Sequence, residues 1–470
     1  MSGATPTELA IPSRPERAAR VLHTSDWHLG VSVRGEPRSA DHDAVIAEIT
    51  AIARAAEPDL ILHTGDLFDG PRPPMLEFGR AIRALRELAV IAPVVVLAGN
   101  HDSATALEVL GIALGDDHTA EVDAGTYDPF APNRHRIRIH HRPTMAEKGA
   151  VTAYPTAAGF HLRLVALPFV HANRLLTDFA SLQEPNATYN DSLRKIIALL
   201  SGVAEQGFDP TTDVAVLASH LHVAGARTSS ERAIHVSEDY ATEPAHLAAL
   251  FGYLAFGHIH VPQQIASGRG AYAGSILEVD FGEEGEAKRV VLADLAPGRP
   301  TAVTSVPLLA GRRLRRVAAP LSTLGEHADD LADAIVEITV RAEPDPLDPV
   351  ASDAIVVRGT SFDTLSAAVA AVLPDATVVG VIDGRNPHAG VAAELAPTES
   401  APDSVGTAFR AWLSGDGESV FATAGAGAAD PERVAELFDE LVAGVGTGEP
   451  ATPREVAEVA RLAAATEGGR

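Results

Sequence analysis

Five times along this chain a short apolar run ends in residues able to hold a metal, and that recurrence limits the folds open to it. Asp59 to Thr64 reads as a strand that turns at Gly65 and presents Asp66. Asp26-Trp27-His28 follows the run Arg20 to Thr24, and Gly99-Asn100-His101-Asp102 follows Pro93 to Ala98. His220 follows Asp213 to Ser219, and Gly257-His258-Ile259-His260 follows Tyr253 to Phe256. Open α/β sheets collect ligands at the carboxyl ends of their strands. Each group alone is also what an ordinary turn contains, because Gly, Asn and Asp suit positive φ and often bond to their own backbone. Five in series predict one binuclear centre.

The residue types suit that chemistry. Two cations about 3.5–4 Å apart repel and need a shared anionic ligand, after which they can clamp the attacking and leaving oxygens of a phosphoester. Asp66 fits the shared position. Asp26 and His28 are expected to reach one ion by the alternation of an extended segment, and His258 and His260 by the same geometry. Asn100 offers a neutral amide oxygen to a hard cation, and His101 beside it can face substrate as a proton donor. With no cysteine anywhere, thiolate sites, disulfides and cysteine nucleophiles are excluded. Carboxylate, imidazole and amide ligands suit manganese, iron or zinc over copper.

Composition narrows the partners. With 37 basic and 63 acidic side chains the formal charge is −26, so affinity for nucleic acid over the whole surface is excluded and any such contact must be local. The sequence contains no apolar run of membrane-spanning length and no signal-peptide core near its start, so a cytoplasmic, membrane-free protein is expected.

Strand and helix patterns alternate from Arg20 to about Leu114 and argue for an α/β layered fold. Further strands are expected at Arg136 to His140, Leu162 to Leu167 and Arg289 to Leu295, with a helix from Ser192 to Glu205. The expected divisions are a disordered leader at 1–19, the metal-bearing domain at 20–297, a small α+β accessory domain at 298–390, a linker at 391–403 and a helical tail at 404–470. In the tail, Val434, Leu437, Phe438, Leu441, Val442 and Val445 share one helical face, as do Val456, Val459, Ala460 and Ala463. Such faces are read either as a self-contained cap or as a surface for a partner.

These five groups resemble the motifs of the calcineurin-like metallophosphoesterases. The longer strings Leu22 to Gly30, Gly65 to Asp69, Leu97 to Ser103 and Gly257 to His260 look more narrowly like the double-strand-break repair nucleases of that superfamily. The resemblance implies a layered sheet sandwich flanked by helices, with a capping domain and a helical tail. It implies two divalent ions per subunit, most simply manganese, with Asp26, His28, Asp66 and His260 holding one, and Asp66, Asn100, His220 and His258 the other. His101 is implied as general acid. Asp69 stands where some relatives carry a histidine, and it is read, with Asp102, as supporting the ligands.

Loop arginines Arg34, Arg38, Arg72, Arg227 and Arg232 are candidates for phosphate contact against the plainer reading of solvated side chains. His63 and His222 are read as structural. The resemblance further implies DNA as substrate, an SMC-like coiled-coil ATPase as partner, and a homodimer within a heterotetramer. Since the chain has no phosphate-binding Gly-x-x-x-x-Gly-Lys-Ser/Thr loop, ATP hydrolysis belongs to the partner. The face of Met75, Phe78, Ile82, Leu85 and Ala89 is a candidate for the dimer contact or for packing on the sheet. The alternatives are a phosphoesterase acting on small phosphodiesters or phosphomonoesters, and a scaffold whose site has decayed.

Overall fold

Val94-Val95-Val96-Leu97 illustrates how the sequence builds the layers. Side chains of a strand alternate between faces, and in this run Val94 and Val96 enter one core while Val95 and Leu97 enter another. A strand apolar on both faces must be covered on both, which is the condition for a layered α/β protein. The computed structural model describes residues 11–116, 118–171, 189–229, 242–243, 247, 249–342 and 362–384.

The first sheet is built from β1 (Ala19–Thr24), β2 (Leu60–His63), β3 (Val94–Leu97) and β4 (Ile137–His140), all parallel. Helices α1 (Ser39–Ala56), α2 (Met75–Ile91) and α3 (Ala104–Leu114) connect them and cover the outer face. The second sheet holds β5 (Val151–Pro155), β6 (His161–Leu167), β7 (Asp213–His220), β8 (Phe251–Gly257), β9 (Gln263–Ile265) and β10 (Gly270–Tyr272). Its strands run in the order β9-β10-β8-β7-β6-β5, parallel at the centre and antiparallel at both edges. Helix α4 (Tyr189–Ala204) covers its outer face. Between the sheets lies the shared core, where Val21, Leu62 and Val95 meet Leu164, Val216 and Tyr253. The expected layered α/β sandwich is thus present.

Two boundaries differ from expectation. Strands β11 (Arg289–Leu295) and β12 (Ala302–Pro307) pair antiparallel and extend the first sheet to the order β12-β11-β1-β2-β3-β4, so this sheet runs ten residues past 297. The leader is ordered from residue 11 in part because Arg14 Nη1 pairs with Asp59 Oδ2 at 3.0 Å. Beyond them, β13 (Leu314–Pro320), β14 (Ile335–Arg341) and β15 (Thr377–Asp383) form a parallel sheet packed on α5 (Phe362–Val372). The expected strand at Ala354 to Val357, the linker and the helical tail lie outside the described residues.

Arg38 is not the solvated loop residue that its sequence context suggests. It is buried, donating to Asp41 Oδ2 at 2.7 Å and to the carbonyls of Glu278 and Arg312 at 2.6 and 2.7 Å. Asp41 also accepts from Arg312, so this cluster ties α1 to the chain entering the small sheet. On α2, Leu85 and Ala89 are buried, and Phe78 and Ile82 pack against the same core, which assigns most of that face to the sheet. Met75 and Leu76 are exposed.

Candidate metal centre

The five groups meet where the carboxyl ends of β1, β2 and β3 face those of β7 and β8. Backbone bonds align the first two turns: Asp26 N–H donates to the Gly65 carbonyl at 3.0 Å, and His28 N–H to that of Asp66 at 3.1 Å. Trp27, fully buried, anchors the first turn through Nε1 to Thr24 Oγ1 at 2.8 Å. Asp102 joins the second and third turns by accepting from the amides of Leu67, Phe68 and Gly99 at 3.0–3.1 Å. Burial, then the nearby Asp66 charge, pushes the Asp102 carboxyl up to about 6 against the pull of those amides. His258 N–H donates to Asp26 Oδ1 at 3.1 Å and closes the ring between the sheets.

Asp26, His28, Asp66 and His258 all have positive φ, at 50°, 46°, 51° and 97°. The expected extended alternation at Asp26-x-His28 and His258-x-His260 is therefore replaced by left-handed turns, which aim successive side chains into the seam. A non-glycine residue in such a conformation costs on the order of 1 kcal/mol, and it persists where the surroundings over-determine it. Here the glycines show the crowding: a Cβ on Gly99 would stand 2.1 Å from Asp66 Oδ1, and one on Gly257 would stand 2.2 Å from Ser25 Oγ.

Whether these residues suit cations is decided by where their protons must lie. His260 Nδ1 is 2.7 Å from the buried carboxylate of Glu283, and His28 Nδ1 is 3.3 Å from Asp69 Oδ1. Each ring therefore places its proton on Nδ1 and its lone pair on Nε2, and the two Nε2 atoms face each other 3.1 Å apart. His220 Nδ1 donates to the Thr64 carbonyl at 2.8 Å, which turns its Nε2 lone pair toward Asn100 Oδ1 at 3.0 Å. His258 Nδ1 lies 2.9 Å from that same oxygen, and Asp66 Oδ2 stands 3.4 Å from His220 Nε2 and 3.8 Å from His28 Nε2. Acceptors that face acceptors repel unless a cation lies among them. Ligand atoms about 2.0–2.2 Å from one ion are themselves roughly 3–3.5 Å apart, so these separations fit divalent cations.

The electrostatics agree. Burial opposes ionisation of Asp66, yet the imidazoles of His220, His101 and His28 hold its carboxyl well below the usual range. Burial would lower His220, but the Asp66 carboxylate overrides it and raises the ring to about 9, as a site of strong negative potential requires.

His101 sits at the edge of the centre, its amide donating to Asp66 Oδ1 at 2.8 Å and its Nδ1 lying 2.9 Å from the Asp69 carbonyl. His63 and His222 are buried, and burial lowers His63 to about 3, which keeps it neutral. Arg34 turns to the small sheet, 3.1 Å from Glu337, and Arg72 and Arg227 are exposed. Arg232 lies outside the described residues.

Glu283 is a residue that the sequence reading passed over. Fully buried, it accepts from His260, Ser275 Oγ at 3.0 Å, the Val279 amide at 3.2 Å and Lys288 Nζ at 2.7 Å. Burial works against its charge, but His260 and Lys288 hold it ionised. The available signal was Lys288, one of three lysines in an arginine-rich chain, beside the acidic run Glu278 to Glu286.

A seam of strand ends that carries carboxylates and imidazoles suited to paired divalent cations defines a metallophosphoesterase. The chain belongs to the calcineurin-like phosphoesterase family, whose pattern matches residues 19–262. More narrowly, it is similar to SbcD, one of the two components of nuclease SbcCD. It is 31% identical over 301 residues to that protein from Bacillus subtilis, covering 63% of this chain and 71% of the relative. The Rhodobacter capsulatus protein is 31% identical over 290 residues, covering 59% and 67%, and the Escherichia coli K12 protein 28% identical over 298, covering 60% and 66%. Among the described residues no helix is long and apolar enough to cross a membrane.

Proposed function

We propose that this chain is the nuclease component of an SbcCD-type complex, hydrolysing phosphodiester bonds at DNA ends and hairpins as an exonuclease and endonuclease in DNA repair and recombination. The observation that carries the reading is the set of acceptor atoms facing one another across the seam. Asp26, His28, Asp66 and His260 would hold one divalent ion, and Asp66, Asn100, His220 and His258 the other, with manganese best matched to this oxygen and nitrogen set. When bound, such a pair supplies Lewis acidity and an activated water. The side chains do the rest. Asp66, the anion common to both sets, offsets the repulsion between charges. Glu283 and the Thr64 carbonyl fix the tautomers of His260 and His220, and Asp69 that of His28. His101, with Nδ1 held by the Asp69 carbonyl, delivers a proton from Nε2 to the leaving oxygen.

An SMC-like coiled-coil ATPase of the SbcC kind is the proposed partner, docked through the residues after 403. A homodimer within the resulting heterotetramer would use the exposed apolar side chains Met75, Leu76 and Ile112 of α2 and α3. The test compares manganese-dependent turnover of linear duplex DNA with that of bis(p-nitrophenyl) phosphate. Efficient cleavage of DNA is expected; hydrolysis of the chromogenic ester without cleavage of DNA would move the function to small phosphoesters.

A further inference from the structure

A cavity of about 300 Å³ opens beside the centre and shares the Asn100 wall with it. Its other walls include Thr105 in the first turn of α3, Arg142, Pro143, Phe169 and His171. Three features define what it can take. The volume lies at the small end of ligand sites, so it suits a single nucleotide unit and not a duplex. The Phe169 ring lies 5.9 Å from the His258 ring and 6.0 Å from that of His220, which puts an aromatic surface directly against the groups proposed to hold the second ion. Arg142 and His171 bring cationic donors to a chain of net charge −26, where any hold on a polyanion has to be local.

We infer that this cavity seats the nucleoside next to the scissile phosphate, with its base against Phe169 and its phosphate toward Asn100. The inference rests on the phosphodiesterase reading above and adds the substrate unit that reading leaves open. Base–aromatic contact accepts any base, because every base has a π face, so the pocket would position the strand without reading sequence.

The test uses the full chain loaded with manganese and two chromogenic esters: thymidine 5′-(p-nitrophenyl phosphate), which carries a nucleoside, and methyl p-nitrophenyl phosphate, which does not. The variants are Thr105→Trp, which fills the cavity from α3, and Arg142→Ala, which removes a cation from its wall without touching the packing of the centre. Wild-type protein should prefer the thymidine ester. Each variant should lose about 10-fold of that preference, the order expected for one base contact, through KM, while hydrolysing the methyl ester as before. Competition should follow suit, with thymidine 5′-monophosphate losing potency as an inhibitor and inorganic phosphate keeping it. An unchanged preference in both variants would overturn the inference while leaving the phosphodiesterase reading intact. An equal loss on both esters would assign these residues to the centre itself and likewise overturn it. A wild-type protein inactive on both esters and on DNA would remove the reading and the inference together.

Discussion

Replacing Glu283 by Gln separates two jobs that one carboxylate performs. The substitution keeps the volume but removes the charge facing His260 Nδ1 at 2.7 Å and Lys288 Nζ at 2.7 Å. Removing one partner of a buried ion pair costs roughly 3–5 kcal/mol when the other charge is left alone. Lys288 keeps Glu286, also at 2.7 Å, so the low end applies, about 3 kcal/mol. At about 2 °C per kcal/mol for a large domain, the midpoint of thermal unfolding should fall by roughly 6 °C. The second job is orientation: a carboxylate behind a ligating imidazole fixes its tautomer and raises its basicity, and losing it weakens metal affinity by about 10–100-fold. Manganese titration of metal-free protein by calorimetry should therefore show one weakened site and one near normal. Lys288→Met serves as control, because it removes the cation but leaves the His260 contact, and its manganese affinity should not fall. If Glu283→Gln lost thermal stability yet bound both ions with unchanged affinity, Glu283 would serve only to neutralise Lys288, and the role assigned to it at the centre would be wrong.

Asp66→Asn should abolish turnover and drop bound metal well below two ions per subunit, as read by elemental analysis; a variant that kept both ions and a near wild-type rate would unseat Asp66. His101→Gln should retain metal but lower single-turnover cleavage by roughly 10²–10⁴-fold, and substantial metal loss would reclassify it as a ligand. Asp41→Asn should destabilise the chain by about 2 kcal/mol at pH 7, since charge-assisted bonds from Arg38 and Arg312 are lost. Burial raises the Asp41 carboxyl, but the bonds from Arg312 and Arg38 outweigh it and hold its folded value below the ordinary one. Its contribution is therefore present above about pH 4, the usual carboxylate value, and fades as pH falls through the lower folded value. Denaturation curves of wild type and Asp41→Asn should converge in acid.

The sequence reveals those parts of the fold that short-range patterns govern. Apolar runs such as Leu60 to His63, ended by Gly65-Asp66, mark both a strand and its functional end. Strand β5 escapes that reading because Val151–Pro155 is brief and ends in proline, which suits the edge position it occupies. Arg38 reads as a loop cation because its partners Glu278 and Arg312 are brought to it only by the fold. The left-handed backbones at Asp26 and His258 are equally silent, since neither residue is one whose presence announces positive φ as glycine does. Glu283 is hidden for the same reason as Arg38: its meaning comes from His260, 23 positions away, and from Lys288 on the next strand.

The pairing of His28 with His260 spans 232 positions. A ribosome builds this chain from its amino end, so Asp26, His28, Asp66 and Asn100 emerge long before His220, His258 and His260 exist to complete either set. The growing polypeptide can shelter its first sheet early, yet it holds half a centre until the second sheet arrives. Metal capture, and with it any capacity to cut, thus comes on late and all at once in the life of each molecule.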